Sequence, residues 1–410
     1  MDILHPRCAG LDVHRDTVVA CVRVAEAGGV ARFVETFATT TAALEQLSAW
    51  LAGYGVKLVA MEATGVYWKP VWAVLAESFE LVLANAGHVK AVPGRKTDVN
   101  DATWLADLLA HGLIRPSFVP TMPEQALREL TRARKQLIRE KASHVQRIDK
   151  TLQAANIKLG SVLSNIMGQS GRALLEALAA GESDPERLAG LVRTRIRASH
   201  AQVAEAVRGR LAAHQRLLLQ LYLTQIDALD AAIASIDRAL EARLEPFQDA
   251  VRRLTTMPGL SSLSATVVIS EIGLDMSRFP SAAHLISWAG LCPRNDESAG
   301  KRRSSRLRQG GPWLKPVLVQ SAWCAVRSKA TYLHALFQRL KARRGPRKAI
   351  VAVAAAMLRA IYFMLERGVE YHDLGADHFQ RTERSRLAAR LARKLGELGF
   401  DVILTPRAAA

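Results

Sequence analysis

Three short apolar segments precede the first amphipathic helix, and this order constrains the fold more than any other feature of the chain. Cys8–Val13 and Val18–Val24 flank a short polar turn, which predicts a β-hairpin. A third β segment, Val30–Thr36, follows a pair of glycines. Strands that follow one another without a crossover helix pair in antiparallel fashion, so the sheet must contain antiparallel neighbours.

The next segments alternate between helices and strands. An amphipathic helix spans residues 44–51, a buried strand runs from Lys57 to Met61 and ends at Glu62, and a further helix precedes the strand Leu81–Ala84. We therefore predict an α/β domain in which helices cover a mixed sheet, with the first and fourth strands as neighbours.

Four carboxylates fall where such a sheet would bring them together. Asp12 ends the first strand, Glu62 ends the fourth, and Asp98 and Asp101 lie three residues apart at the predicted start of a helix. The two aspartates alone fit helix capping as well as metal binding. Buried carboxylates at adjoining strand ends are costly unless they hold cations, and oxygen-rich clusters suit Mg²⁺ or Mn²⁺. Together the four acids favour a metal site for phosphodiester exchange.

The charge of the chain points to a polyanionic partner. Lys and Arg number 56 against 38 acids in 410 residues, a formal net charge of +18, which makes nucleic acid the expected partner. The densest basic cluster has five cations in eight residues. Its members are the candidate nucleic-acid-binding residues Lys301, Arg302, Arg303, Arg306 and Arg308.

The middle of the chain is helical. A long basic helix is predicted from Pro123 to about Gly160, with Arg128, Arg132 and Arg134 on its polar surface. A second helix repeats apolar residues from Leu219 to Leu240 at spacings of three and four, which indicates a coiled-coil seam. That seam fits an intramolecular helical hairpin as well as pairing with another subunit.

Ser298 lies in a predicted polar loop, followed by two small residues and then by the basic cluster. Small residues let a backbone approach a phosphate, and nearby cations lower the pKa of a hydroxyl. An isolated loop serine is nevertheless usually only solvated, so spacing alone favours a solvated residue over a nucleophile. The four cysteines are far apart, which fits a reducing cytoplasm rather than a disulfide framework.

Two separate blocks of the chain resemble a known family, the DEDD transposases of bacterial insertion sequences in the "one-ten" group, which are RNA-guided recombinases. The N-terminal block comprises Gly10-Leu11-Asp12-Val13-His14, Met61-Glu62-Ala63-Thr64-Gly65 and Lys96-Thr97-Asp98-Val99-Asn100-Asp101-Ala102. The C-terminal block comprises Met257-Pro258-Gly259, Phe279-Pro280-Ser281, Ala289-Gly290-Leu291-Cys292-Pro293 and Glu297-Ser298-Ala299-Gly300-Lys301.

The resemblance implies a domain order. Residues 1–118 would form a RuvC-like, RNase H-fold catalytic domain, and 119–250 a helical coiled-coil section. Residues 251–380 would form a mainly helical transposase domain with the catalytic serine, followed by a basic helical tail at 381–410.

The resemblance also implies a chemistry. Asp12, Glu62, Asp98 and Asp101 would bind Mg²⁺, with Mn²⁺ as an alternative, and Ser298 would form a transient phosphoserine link to DNA. A non-coding bridge RNA would pair with donor and target DNA, and subunits would assemble as a dimer or tetramer through the coiled coil. The expected location is the bacterial cytoplasm, at the nucleoid. About 160–210 matches least and receives no role.

Two other functions fit parts of the sequence. A Holliday-junction resolvase or related nuclease would use only the four acids and leave Ser298 without a role. A non-catalytic nucleic-acid-binding protein that dimerises through its coiled coil would need neither the acids nor the serine, and its binding would not depend on Mg²⁺.

Overall fold

The fold was obtained as a computed structural model, which describes residues 3–26, 29–63, 65–85, 89, 101–193, 195–293, 296–298, 300–304, 306–307 and 311–403. Only the backbone is described at 296–298, 302–303 and 380–387. The chain divides into two compact units, residues 1–119 and 120–410.

The first unit is built on a five-stranded mixed sheet with the order β3-β2-β1-β4-β5. Its strands are β1 Arg7–Val13, β2 Thr17–Glu26, β3 Gly29–Ala38, β4 Leu58–Glu62 and β5 Glu80–Ala84, and its described helices are α1 Thr41–Gly53, α2 Trp68–Leu75 and α3 Asp101–Ala110. β1, β2 and β3 pair in antiparallel fashion, whereas β1, β4 and β5 are parallel. The predicted mixed sheet and the pairing of its first and fourth strands are confirmed.

Helices pack on both faces of the sheet because the strands present apolar residues alternately to each side. On one face Leu11 and Met61 belong to a buried cluster with Leu44 and Leu75, residues of α1 and α2. On the other face the small residues Cys8 and Ala60 pack with Leu109 and Ala110 of α3.

Among the described residues of the second unit, the regular structure is helical apart from one small hairpin. Its helices are α4 Met122–Ala154, α5 Leu159–Val162, α6 Gln169–Ala180, α7 Pro185–Ala189, α8 His200–Ala206, α9 Ala213–Arg243, α10 Gln248–Thr255, α11 Ser262–Ile272, α12 Ala282–Trp288, α13 Leu314–Ala325, α14 Tyr332–Arg344, α15 Pro346–Arg367 and α16 His378–Glu397. Two 3₁₀ turns cover Glu245–Phe247 and Met276–Arg278, and the hairpin strands are β6 Asp296–Ser298 and β7 Lys301–Ser304.

The two long helices α4 and α9 pair with each other inside the chain. Arg134 contacts Asp237 at 2.5 Å, and Lys141 contacts Asp230 at 2.5 Å, so the residue number rises along one helix as it falls along the other. This antiparallel pair corresponds to one of the two arrangements that the sequence allowed. The coiled-coil geometry is not confirmed, because only Leu219, Ile226 and Leu240 of the predicted seam are buried.

The predicted end of the first long helix was wrong. α4 ends at Ala154, and Asn156 has a left-handed backbone with φ of 57°. Asparagine adopts this region more readily than most residues, so it ends the helix where the apolar periodicity alone would continue it.

Helices α9 and α15 are long and apolar enough to cross a membrane by length and composition alone. In this structure α15 places Val353, Met357, Leu358 and Ile361 in the protein interior. The same length and composition are expected of a buried core helix.

Candidate active site

Asp12 and Glu62 lie side by side at the carboxyl ends of two neighbouring parallel strands. Leu11 of β1 is paired with Met61 of β4, and the next residues along the two strands are the two acids. Because Leu11 and Met61 point into the core under α1 and α2, the alternation of the strands turns both acids towards the face that α3 covers. The Asp12 side chain is only 20% exposed.

Helix α3 brings a third acid to the same edge of the sheet. The Cys8 thiol lies 3.5 Å from the carbonyl oxygen of Ala106, whereas Gly10, two residues further along β1, lies against the carbonyl of Ala102. α3 therefore runs antiparallel to β1, and its N-terminal end lies near the carboxyl end of that strand. Asp101, the first residue of α3, is exposed there.

A histidine contacts this group of acids. His14 Nε2 lies 3.2 Å from Asp12 Oδ2, and the imidazole is 59% exposed. The sequence predicted no functional role for His14, which lies in the polar turn after the first strand. The sequence feature that could have indicated this contact is the spacing of Asp12 and His14, because residues two apart at a strand end project to the same side.

Asp98 and the preceding segment from Lys96 lie outside the described residues, so the predicted capping and metal-binding roles of that segment remain predictions. Among the residues that the structure describes, no three His, Cys, Asp or Glu side chains are grouped closely enough to hold a metal ion. Three of the four predicted acids are thus placed at one edge of the sheet, without a completed set of metal ligands.

Ser298 lies on a β-hairpin of the second unit. It ends β6, and its backbone is paired with that of Lys301 at the start of β7. A register shift separates Asp296 from Glu297, and an isolated bridge between Pro293 and Leu307 extends the pairing. The prediction of a polar loop was wrong, because backbone pairing across a tight turn gives this segment a regular structure that its polar sequence did not indicate.

The basic residues after Ser298 are partly described. Lys301 and Arg306 are exposed, and the Arg306 amide donates a hydrogen bond to Ser304 Oγ at 3.2 Å. The side chains of Arg302 and Arg303, and the whole of Arg308, lie outside the described part of the chain. Exposed cations beside a serine could contact phosphates, and binding by all five remains a prediction.

Two arginine side chains of α4 contact the ring of Trp313, which lies between the hairpin and α13. The guanidinium groups of Arg132 and Arg139 lie 5.5 and 5.3 Å from the centre of the Trp313 ring, within the range of cation–π attraction. Arg132 also donates two hydrogen bonds of 2.8 Å to Glu271 of α11, which is buried.

The arginines of α4 were predicted to form a basic surface, and for three of them that description was incomplete. Arg128 donates to the carbonyl oxygens of Ser270 and Glu271, Arg132 pairs with Glu271, and Arg134 pairs with Asp237. These contacts join α4 to α11 and α9, so part of the positive charge of α4 stabilises the unit.

Comparison with known proteins identifies both blocks. Residues 9–157 match the family model of DEDD transposases of the IS110 type, described as "Transposase", and residues 251–338 match the model described as "Transposase IS116/IS110/IS902 family". The "Probable family 20 transposase" of Pseudomonas aeruginosa is 26% identical over 322 residues, which cover 77% of this chain and 85% of that protein. The "Insertion element IS110 uncharacterized 43.6 kDa protein" of Streptomyces coelicolor is 31% identical over 142 residues, which cover 33% and 34% of the two chains.

The fold and these matches define a class: the chain is a DNA transposase, with a mixed-sheet domain of the DEDD type followed by a helical transposase region. Within that class, it belongs to the IS110/IS116 family of insertion-sequence transposases. DNA is therefore its substrate.

Proposed function

We propose that this transposase cleaves and exchanges DNA strands in a Mg²⁺-dependent reaction that uses two sets of residues. Asp12, Glu62, Asp98 and Asp101 would hold the metal, and Ser298 would be the nucleophile. The observation that carries the proposal is the register of β1 and β4, which sets Asp12 beside Glu62 on the face towards α3. We also propose that the second unit comprises a helical section up to residue 250, a transposase domain at 251–380 and a basic tail at 381–410.

The chemistry of the donors fits the proposed ion. Carboxylate oxygens are the ligands that Mg²⁺ and Mn²⁺ prefer, and the described acids are gathered where parallel strands end. When bound, the ion would withdraw charge from the phosphodiester oxygens and favour their attack by a hydroxyl. The carboxylates of the chain would hold it, and Asp98 would complete the set.

The proposed serine step exchanges one phosphoester bond for another, so the number of phosphoester bonds stays the same. Ser298 Oγ forms a bond to phosphorus while the bond from phosphorus to one nucleotide oxygen breaks. The hydroxyl proton passes to a base, and the departing oxygen takes up a proton. Attack by a hydroxyl of another DNA end reverses these events and releases Ser298. The exposed cations Lys301 and Arg306 would contact the phosphates on either side.

The partners follow from the same proposal. The net charge of +18 supports binding of polyanions in general, and the proposed partners are a bridge RNA and donor and target DNA, whose phosphate backbones all attract the cations of the protein. Assembly as a dimer or tetramer would bring the acids of one subunit to the serine of another.

Trapping of a covalent adduct tests the serine. Labelled DNA with the ends of the insertion sequence is incubated with the protein and Mg²⁺, then separated under denaturing conditions to reveal protein-linked DNA. We expect an adduct with the unaltered chain and with Ser304→Ala, a control in the same hairpin, and no adduct with Ser298→Ala or Asp12→Asn. Asp16→Asn, at the exposed turn after β1, is the control for the acids.

Other outcomes identify the other functions. Strand exchange that survives Ser298→Ala but not Asp12→Asn would establish a resolvase-like nuclease that uses only carboxylates. DNA binding that does not depend on Mg²⁺, together with full function of the Glu62→Gln variant, would establish a non-catalytic binding protein. Sequencing of RNA that copurifies under native conditions tests the guide, and its absence would remove the RNA while leaving the transposase activity.

A further inference from the structure

The part of the second unit that received no role contains a cavity of about 1180 Å³. It lies between the segment 156–164, which includes α5, and the segment 195–208, which includes α8. The charged residues of its lining are Lys158, Arg195, Arg197, Arg208 and Glu205. All five are exposed, so the described lining carries four cations and one carboxylate.

The wall of the cavity is preformed. The Lys158 amide donates a hydrogen bond of 2.7 Å to the carbonyl of Ala206, and the Arg210 amide donates one of 3.2 Å to the carbonyl of Ala155. A Cβ atom on Gly209 would lie 2.3 Å from that same Ala155 oxygen, so only glycine allows the two segments to approach this closely. Two distant stretches of the sequence are thereby held as one surface.

Two arginines of the segment before α8 flank an apolar residue that packs against the protein interior. Ile196 packs against the buried clusters that include Leu163 and Val203, and its neighbours Arg195 and Arg197 are exposed in the cavity lining. Neither arginine forms a salt bridge with any residue described by the structure. Arg208 Nη1 lies 3.6 Å from Glu205 Oε2, and both side chains are exposed. Breaking this ion pair to bind a ligand therefore costs little free energy.

We propose that this cavity binds the sugar-phosphate backbone of a single-stranded nucleic-acid segment. Its volume exceeds the roughly 300–1,000 Å³ of small-molecule sites, and its four cations suit a ligand with several phosphates. Double helices display their phosphates on a convex surface, whereas a concave site admits a loop or an unpaired strand. The described lining residues include no aromatic side chain, so the cavity would recognise phosphates rather than stacked bases. Neither Ser298 nor a proposed metal ligand contributes to it.

Binding of short oligonucleotides by the full chain tests the site. The Asp12→Asn background with EDTA removes the catalytic reaction, so failure of the catalytic proposal would not change the result. Fluorescein-labelled oligo(U), oligo(dT) and duplex DNA are titrated at several salt concentrations. We expect Arg195→Ala with Arg197→Ala to weaken single-strand binding about tenfold and to reduce its salt slope by about 1.4, which is roughly 0.7 for each lost phosphate contact. Duplex binding should be unchanged.

Matched variants separate this site from general loss of charge. Arg238→Ala with Arg243→Ala removes two exposed cations from α9 and should leave single-strand affinity unchanged. Arg195→Lys with Arg197→Lys should retain most of the affinity. If the double alanine variant does not fold by circular dichroism, Lys158→Gln with Arg208→Gln replaces it, with the same expected loss.

The two single strands distinguish the sources of the phosphates. A larger loss for oligo(U) than for oligo(dT) assigns the site to RNA, and equal losses assign it to phosphates of either polymer. An unchanged affinity and salt slope for both single strands would overturn the proposal, as would an equal loss for duplex DNA.

Discussion

The Cβ position of Gly10 lies 2.2 Å from the carbonyl oxygen of Ala102. No side chain fits into this gap, so glycine on β1 sets the distance between the sheet and α3. That distance also places Asp101, at the start of α3, relative to Asp12 at the end of β1. The geometry of the proposed carboxylate site therefore depends on a residue without a functional group.

Gly10→Ala is expected to force α3 away from the sheet. The added methyl group would collide with backbone atoms of Ala102 and Ala106, and overpacking of this kind costs about 1–3 kcal/mol. Urea unfolding should show that loss, and Mg²⁺-dependent cleavage should fall with it. Gly53→Ala is the control, because nothing lies within 4 Å of its Cβ position. Equal stability of the two variants would contradict the close approach.

A second contact holds α3 on the sheet. Arg23 of β2 is 3% exposed, and its Nε donates a hydrogen bond of 2.9 Å to Asp107 Oδ1. Arg32 donates to both oxygens of the same carboxylate. Asp107→Ala should lower the free energy of unfolding by about 3 kcal/mol, because it leaves a buried guanidinium without its counter-charge. Asp16→Ala, whose side chain is 84% exposed, should change stability by less than about 0.5 kcal/mol.

The pairing of α4 with α9 should depend on pH. The hydrogen bond from Arg134 lowers the pKa of Asp237 below its ordinary value of 3.8. The pair therefore contributes its stability above about pH 4 and loses it as the pH falls through the lowered pKa of the folded state. The difference in unfolding free energy between the unaltered chain and Asp237→Asn should be under about 1 kcal/mol, because the pair is partly exposed. It should vanish in acid, and a difference that grows in acid would contradict the assignment.

The cysteines should differ in reactivity. Burial raises the pKa of the Cys8 thiol to about 11 and also raises that of Cys21, so both remain neutral at pH 8 and are shielded from reagents. Cys324 is exposed. Iodoacetamide should label Cys324 within minutes, and Cys8 and Cys21 only after unfolding in guanidinium. Mass spectrometry of tryptic peptides measures each site, and rapid labelling of Cys8 in the folded chain would contradict its burial.

The sequence alone predicted the hairpin of the first two strands, the pairing of the first and fourth strands, and the positions of Asp12 and Glu62 at strand ends. Both depend on local information, because an alternating apolar pattern and a polar turn specify a hairpin, and an acid after a buried run marks a strand end. The resemblance of two ordered blocks to a family of transposases was confirmed by matches over 9–157 and 251–338.

Only the tertiary structure decided how distant segments meet. A repeat of apolar residues from 219 to 240 serves an internal partner and another subunit equally well, and the contacts of Arg134 and Lys141 show the internal one. The hairpin at Ser298 and the cavity between 156–164 and 195–208 likewise depend on contacts between segments. Such contacts depend on burial and backbone pairing between distant segments, which leave little pattern in a polar sequence. The periodicity of a helix or a strand, in contrast, can be read from residues that are close together in the sequence.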